Sequence, residues 1–375
     1  MIKILHIIPS LRKGGAERLV LDICTELSQR KDVDVRLVCF SDENEYPEYK
    51  GLIKSFVIPS RVELSILRKN KLFVDELQEF INIFKPDVIH THLFEADIVS
   101  RSIYYPRAKW FSHCHDNMFQ FRNLDMGLFF SKARLTNYFE KRYLFNRYFK
   151  NGGAHFIANS RSTEAYFNKI ARHYQVTHLS NAINYERFFK QTQQAFPNNV
   201  LRLVNIGSFV KNKNQSFLID VAYFLKKQNI NFELHFAGDG PELNSVKQRT
   251  ENLGFSENIF FHGKIEKAEK LLWSSHIYIH SAFSEAFGLT LLEAMAAGLP
   301  VVTLDGKGNR DIMIYAKNGF LIKEQDPGLF ADKILEIWED KDKYKAMSAF
   351  GQEFAEKYDI KLYVDKLLEI YSAKA

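Results

Sequence analysis

The sequence predicts an α/β protein of two Rossmann-like, doubly wound domains facing each other across a cleft. Three observations carry this. The length of 375 residues suits two domains at about 100–200 residues each. Apolar strands alternate with amphipathic helices in two successive runs, and strands so continuously apolar belong to parallel sheets covered on both faces. A polar stretch, "KQTQQAFPNN" (190–199), interrupts the alternation and reads as the linker. The first domain is therefore expected over 1–189 and the second from 190 onward. Ligands of such sheets bind beyond the carboxyl ends of the strands, which places the site in the cleft.

The elements follow in order. "KILHIIPSL" reads as the first strand, and "GGAERLVLDICTELSQR" as a glycine turn and a helix with apolar spacing at Leu19, Ile23, Cys24 and Leu27. "DVDVRLVCF" is a strand. "LFVDELQEFINIFKPD" is a helix stopped by Pro86, since proline cannot continue one. "DVIHTHL", "KWFSHCHD" and "AHFIANS" are strands. After the linker come "LRLVNIGSF", "NFELHFAGDGPE", "IFFHG" and "IYIHSA" as strands. Between them "NQSFLIDVAYFLKKQ", "LNSVKQRTENLG" and "EKAEKLLWSS" are helices. In "SEAFGLTLLEAMAAGLPVV" (284–302), "LTLLEAMAA" is a helix former, Gly298 closes it, and "VVTL" is the next buried strand.

Composition narrows the class. Apolar residues make up 46% and charged residues 26% of the chain, ordinary for a globular protein. No apolar run approaches the ~20 residues of a membrane span. The N-terminal "MIKILHIIPSLRKGG" reads as a strand rather than a signal peptide, so a cytoplasmic location is expected. Cys24, Cys39 and Cys114 are far apart and lack C-x-x-C spacing, which fits reduced structural thiols. The charge is uneven: residues 1–195 hold 29 Lys and Arg against 21 Asp and Glu, and the remainder 22 against 24. In residues 121–150, Arg122, Lys132, Arg134, Lys141, Arg142, Arg147 and Lys150 face only Asp125 and Glu140 among many Phe and Tyr. That mixture suits an anionic membrane surface or another acidic partner. It equally suits a solvated helix with its aromatics in the core.

The chemistry concentrates around two glutamates, Glu285 and Glu293, in otherwise apolar surroundings. Buried carboxylates need partners. Gly288, Leu289 and Thr290 offer free backbone N–H groups at a helix start, a site for an anion. Carboxylates beside a phosphate cradle fit a ligand with phosphates and hydroxyls, such as a nucleotide sugar. The pairs His90/His92 and His113/His115 each put two imidazoles on one strand face. They could ligate zinc, or they could be satisfied strand histidines.

The E-x7-E pattern with "FGL" and "EAMAAGLPVV" around it resembles the signature of the family 4 retaining glycosyltransferases, which have the GT-B fold. "SLRKGGAERLV", "PDVIHTHL", "HCHD", "LSNAINYERF", "GSFVKNKN" and "NGFLI" resemble further family segments in the same order. The resemblance implies an acceptor-binding N-terminal domain, joined by a crossing helix at about 357–375, and a nucleotide-sugar donor-binding domain over 190–356. It implies a retaining transferase of the hexosyltransferase type. The donor would be UDP-linked, the acceptor a glycan or lipid-linked hydroxyl, and the setting cell-surface polysaccharide assembly at the inner face of the membrane. His115, Glu285 and Lys213 would be catalytic. Gly14, Gly15, Asn181, Ser208, Lys213, Gly238, Phe287, Gly288, Leu289, Thr290 and Glu293 would bind substrate. Glu293 would hold the ribose, Glu285 and His115 the sugar, and Lys213 the diphosphate. No cofactor, no metal for the chemistry and no nucleic-acid partner are implied. The family's usual arginine is Ser208 here and its usual glycine is Ala286, which removes one positive charge from the diphosphate site. A nucleotide-sugar epimerase and a non-catalytic partner subunit share the same fold. A dinucleotide oxidoreductase wants G-x-G-x-x-G, which "RKGGAERL" lacks.

Overall fold

The apolar run of the first strand lies at the centre of a parallel sheet, where the burial of every residue from Ile4 to Ile8 puts it. The computed structural model describes residues 1–65, 68–115, 121, 132–191, 200–313 and 317–373. The chain forms two compact units, Met1–Asn181 with Ile360–Ala375, and Ala182–Asp359.

The first unit runs β1 (Ile2–Ile8), α1 (Gly15–Ser28), β2 (Val33–Cys39), β3 (Ser55–Val57), β4 (Arg61–Glu63), β5 (Lys71–Phe73), α2 (Asp75–Phe84), β6 (Val88–His92), α3 (Leu93–Ser100), β7 (Lys109–Cys114), α4 (Lys132–Lys150), β8 (His155–Ala158), α5 (Arg161–Ile170) and β9 (Gln175–His178). Seven strands pair in the order β3-β2-β1-β6-β7-β8-β9, all parallel. One face packs Leu5, Ile7, Leu77, Ile81, Ile89 and Trp110. Strands β4 and β5 form a separate antiparallel pair. Leu72 is paired there with Val62, so the helix expected from Leu72 starts only at Asp75.

The second unit runs α6 (Tyr185–Phe188), β10 (Leu201–Ile206), α7 (Gln215–Lys227), β11 (Phe232–Ala237), α8 (Leu243–Asn252), β12 (Ile259–Phe261), α9 (Ala268–Trp273), β13 (Ile277–His280), α10 (Leu289–Ala296), β14 (Val301–Leu304), β15 (Gly319–Ile322), α11 (Pro327–Trp338) and α12 (Lys341–Glu356). Its six strands pair in the order β12-β11-β10-β13-β14-β15. Strand order reverses between β1 and β6 in one sheet and between β10 and β13 in the other. Those switch points are where doubly wound sheets open a crevice for ligands.

The units divide at 181/182, ahead of the linker expected at 190–199. Residues 182–190 pack with the second unit: the Ile183 N–H donates to Tyr358 O at 3.0 Å, and Phe188 is buried in that core. Residues 192–199 of the expected linker lie outside the described residues. The last helix, α13 (Ile360–Ser372), groups with the first unit. Asp365 on it pairs with Arg30 at 2.9 Å.

Helix α4 divides the aromatic and basic segment. Leu144 and Tyr148 are fully buried and Phe149 is 85% exposed. Lys141 donates to Phe121 O at 2.9 Å, so it is not a free surface cation. Arg122, Asp125 and the side chain of Lys132 lie outside the described residues. Among the described residues, no helix is long and apolar enough to cross a membrane.

Candidate functional site

In the second unit the loops after β10 and β11 pack backbone on backbone. Gly238 has φ +140, and a Cβ there would lie 2.0 Å from the Gly207 carbonyl oxygen. Gly238 is thus required by the fold whatever it binds. The Ser208 carbonyl accepts from Gln215 Nε2 at 3.0 Å, which ties the loop to the start of α7. Lys213 ends a short 3-10 turn. Its carbonyl accepts from Ser281 Oγ at 2.8 Å, and Asn212 Nδ2 donates to Ser284 O at 3.2 Å. The loop after β10 is thereby joined to the loop after β13.

That junction brings Lys213 and Glu285 together, 72 positions apart in sequence. Lys213 Nζ lies 2.5 Å from Glu285 Oε2, and His280 Nε2 lies 3.1 Å from the same oxygen. The side chains are 23% and 12% exposed for Lys213 and Glu285. Burial pushes the Glu285 carboxyl up. The Lys213 charge and the hydrogen bonds from His280 and Lys213 outweigh it and hold the group well below the usual carboxylate range. Burial pushes the His280 imidazole down, against the pull of Glu285. A neutral His280 donates from Nε2 to the ionised Glu285, and its Nδ1 is left as a buried lone pair without a partner among the described residues.

Glu285 is also fixed through its backbone. Its N–H donates to Gly306 O at 2.9 Å, and its carbonyl accepts from the Gly308 N–H at 3.0 Å. Fully buried Asn309 holds that partner loop. Its Oδ1 accepts from the Gly306 N–H at 3.0 Å, and its Nδ2 donates to Thr303 Oγ1 at 3.0 Å and to Leu304 O at 2.9 Å. His280 and Asn309 escaped sequence reasoning. Neither stands in a recognisable spacing, and no lone residue signals a contact made across strands.

Phe287 is buried, with its ring 6.1 Å from that of Tyr358, so only its backbone is on offer to a ligand. Gly288 caps α10 with φ +98, a conformation that costs other residues strain. Leu289 and Thr290 form the first turn, with N–H groups aimed out of the helix start. Glu293 is 4% exposed inside α10. It and Glu285 both act on the Tyr278 hydroxyl, which burial and these two charges push well up. The Tyr278 hydroxyl donates to Ile206 O at 3.1 Å. The two glutamates, Lys213, Ser208 and the start of α10 thus gather at the switch point of the second sheet.

In the first unit Gly14 caps α1, and Gly15 is that helix's first residue. The Gly14 N–H donates to Tyr46 Oη at 2.9 Å, and Tyr46 Oη donates to Gly14 O at 2.8 Å. His115 follows β7 and is 9% exposed. Its carbonyl accepts from Asn159 Nδ2 at 2.8 Å. Asn181 is buried beside His113, whose pKa it raises against the larger effect of burial. The two H-x-H pairs do converge, and His6 joins them. Two buried triads, His6–His90–His92 and His92–His113–His115, have the spacing a metal ion needs. Hydrogen bonds between the rings of His6, His92 and His115 occupy nitrogens that such an ion would need.

Two family models match the chain, Glycosyltransferase Family 4 over residues 13–187 and Glycosyl transferases group 1 over residues 186–354. The capsular polysaccharide biosynthesis glycosyltransferase CapH of Staphylococcus aureus is 24% identical over 392 aligned positions, covering 100% of this chain and 99% of CapH. EpsD of Bacillus subtilis (strain 168), provisionally named a glycosyltransferase, is 32% identical over 162 residues, covering 43% of this chain and 42% of EpsD. The chain therefore spans less than half the length of that curated relative. The crystal structure of Anabaena Alr3699/HepE with UDP and glucose shares the fold at a TM-score of 0.78, with 21% identity and 100% of each chain covered. With both units matched in order and the GT-B architecture shared end to end, the chain belongs to the family 4 glycosyltransferases.

Proposed function

We propose that this protein is a retaining glycosyltransferase. It moves a hexose from a nucleoside diphosphate sugar, UDP-linked, to a hydroxyl of a glycan or lipid-linked acceptor in cell-surface polysaccharide assembly. The observation that carries the reading is the Lys213–Glu285–His280 cluster beside the Gly288-capped start of α10 and the buried Glu293. CapH, named for capsular polysaccharide biosynthesis, and HepE, crystallised with UDP-glucose, support the class of reaction and of donor.

In this reading Glu293 accepts from the ribose hydroxyls. Glu285, kept ionised, accepts from a hydroxyl of the transferred sugar. The N–H groups from Phe287 to Thr290 and the Lys213 ammonium take the diphosphate, and Gly14 and Gly15 are assigned to substrate in the first unit. His115 and Asn181 of the first unit are assigned to the sugar. Lys213 then serves two anions, Glu285 and the diphosphate, and Ser208 brings no second cation. The leaving diphosphate takes the proton of the incoming hydroxyl on the same face of the sugar. The enzyme contributes position and fixed charge rather than a nucleophile. No step is assigned to a cofactor, a metal or a nucleic acid.

The test is incubation with a panel of nucleotide sugars. A donor at 100 times its Kd should stabilise the protein by about 2.7 kcal/mol, and sugar transfer should need an acceptor. Turnover of the donor alone would replace the reading with epimerisation. Glu293→Gln keeps the shape and loses a charge-assisted acceptor, so donor binding should weaken by about 1.5–3 kcal/mol. Unchanged binding in calorimetry would remove the ribose assignment.

The proposed location is cytoplasmic, peripheral at the inner face of the membrane, through the cations of α4. Because Lys141 is engaged internally, the informative changes are Arg142→Gln and Lys150→Gln. They should weaken sedimentation with anionic vesicles at low salt. Sedimentation indifferent to both changes would discard the membrane reading.

A further inference from the structure

Register places His6 of β1 opposite His90 of β6, and His92 opposite His113 of β7. Strand residues two apart share a face, so five imidazoles gather at the carboxyl ends of three neighbouring strands. All five are buried. Their contacts are not uniform. His6 Nδ1 lies 2.9 Å from His92 Nε2, and His92 Nδ1 lies 3.1 Å from His115 Nε2. The ring centroids of these pairs are 5.1 and 5.4 Å apart. Each centroid separation exceeds the nitrogen separation by about two ring radii, so the nitrogens meet head-on along a line. That is the geometry of N–H···N hydrogen bonds. Ligands converging on one metal ion would splay.

A neutral imidazole has one N–H and one lone pair. His92 uses both nitrogens, so it donates at one end and accepts at the other. The three rings must then all point their protons the same way along the chain, and only two directions exist. In one, His115 donates from Nε2 and the proton at the far end sits on His6 Nε2. In the other, His6 donates from Nδ1, His92 donates from Nδ1, and His115 accepts at Nε2 and carries its own proton on Nδ1. His6 Nε2 is buried with no hydrogen-bond partner among the described residues. A buried N–H without an acceptor is the rarer and costlier orphan; a lone pair without a donor is tolerated more often. The second direction is therefore favoured. Neutrality holds along the whole chain. Burial, with neighbouring imidazoles adding to it, pushes His6 down to about 3 and His92 and His115 well below their ordinary value.

We propose that His6 and His92 are positioning residues that hold His115 as its neutral Nδ1–H tautomer, so that it offers a hydrogen-bond donor to an oxygen of the bound donor substrate. The proposal rests on the reading of His115 as a donor-contacting residue given above. It gives that reading a chemical sense. Sugar hydroxyls and phosphate oxygens are met by an N–H, and an outward lone pair would repel a phosphate oxygen. His115 is then a fixed dipole in the site and not a base. His90 stands outside the chain, with its Nδ1 2.6 Å from Tyr371 Oη.

The tautomers are read directly by long-range ¹H–¹⁵N correlation NMR on the full-length protein labelled at histidine, with no substrate present. The expected spectrum shows His6, His92 and His115 each protonated at Nδ1 and bare at Nε2. His6→Leu removes the first donor and should release His115 into a tautomer mixture. His6→Asn places an amide N–H near the position of Nδ1 and should restore the single tautomer. A wild-type His115 protonated at Nε2, or a His115 signal indifferent to both His6→Leu and His92→Leu, overturns the proposal, and the wild-type spectrum decides even if a variant fails to fold. Titration with UDP-glucose separates the two layers. If the His115 signals do not move on donor binding, the contact reading fails while the hydrogen-bonded chain stands.

Discussion

At the switch point of the first sheet five imidazoles are buried side by side, and all are kept neutral. At the switch point of the second sheet a carboxylate is buried beside an ammonium and one imidazole, and it is kept charged. The two sheets share a strand order and place these groups at equivalent ends. They meet the cost of burying ionisable groups by opposite means. In one, desolvation removes the charge. In the other, a partner compensates it. A single fold thus presents an uncharged hydrogen-bonding surface in one unit and a fixed ion pair in the other, and the two should respond differently to pH and to deletion.

The largest expected effect is acid lability concentrated in the first unit. A histidine held neutral in the folded state has its folded pKa below its unfolded value of about 6.5. Its stability contribution is therefore complete above that pH. It is lost progressively as pH falls, because the unfolded chain takes up the proton first, and the loss ends only at the folded pKa, about 3 for His6 and about 4 for His113. Each such group costs about 1.4 kcal/mol per pH unit in that window, so His6 alone removes about 2 kcal/mol at pH 5. Glu285 loses its contribution in the same direction but in a lower window. Its folded pKa is depressed, so its contribution stays intact above the ordinary carboxylate range and is lost only below it. The second unit fully buries one lowered imidazole, His280, against five in the first. Hydrogen exchange at pH 7.5 and 5 should show β1, β6 and β7 losing protection well before β10 and β13. Loss in the reverse order would break the comparison.

Next in size is removal of the ammonium. Lys213→Ala leaves Glu285 largely buried with only neutral donors, His280 Nε2 and the Ala286 N–H. Breaking such a pair costs on the order of 3 kcal/mol. Glu285→Gln should cost less, because Lys213 retains access to water. The double variant should lose less stability than the sum of the two single losses in urea denaturation. If Lys213 also serves a diphosphate, Lys213→Ala weakens binding of UDP and hardly that of uridine. Equal losses for both would assign Lys213 to structure alone.

These contrasts also mark how far the sequence was legible. The E-x7-E spacing, the Gly288 and Gly298 helix ends and the strand–helix alternation are local, and each has a local physical cause. Lys213 was found by its place in a motif, but its contact with Glu285 depends on loops joined through Ser281 and Asn212, which no window of sequence contains. His6 looked like one polar residue in an apolar strand, and only the register with β6 makes it the head of a chain. The three-residue strands β4 and β5 are too short for alternation to reveal them. Gly238 was attributed to substrate, and the structure supplies a packing reason that stands without one. For α4 the sequence left open a membrane-facing surface or a solvated helix with its aromatics in the core; Tyr148 turns inward to bond Asp97, and an aromatic's side chain leaves no trace of its direction in the sequence.

The smallest prediction tests whether the histidine surface depends on its neighbours in the same graded way. Helix α13 brings two buried tyrosines to the first unit, Tyr363 and Tyr371. The Tyr371 hydroxyl meets His90 Nδ1 at 2.6 Å, whereas the Tyr363 hydroxyl has no partner among the described residues. The two differ by one hydrogen bond in near-equal burial. Tyr371→Phe keeps the ring and strips His90 of its partner, and His90 Nε2 is already without one. A buried polar group left unsatisfied costs about 1–3 kcal/mol, and the lower end applies because the ring itself still packs. Tyr363→Phe removes a hydroxyl that was desolvated without compensation, so it should be neutral or slightly stabilising. Urea midpoints of the two variants, measured at pH 7.5, should therefore move in different directions or by clearly different amounts. Equal destabilisation would mean that volume and not hydrogen bonding sets the cost. The first unit would then tolerate orphaned imidazole nitrogens more freely than the contrast with the ion-paired unit requires.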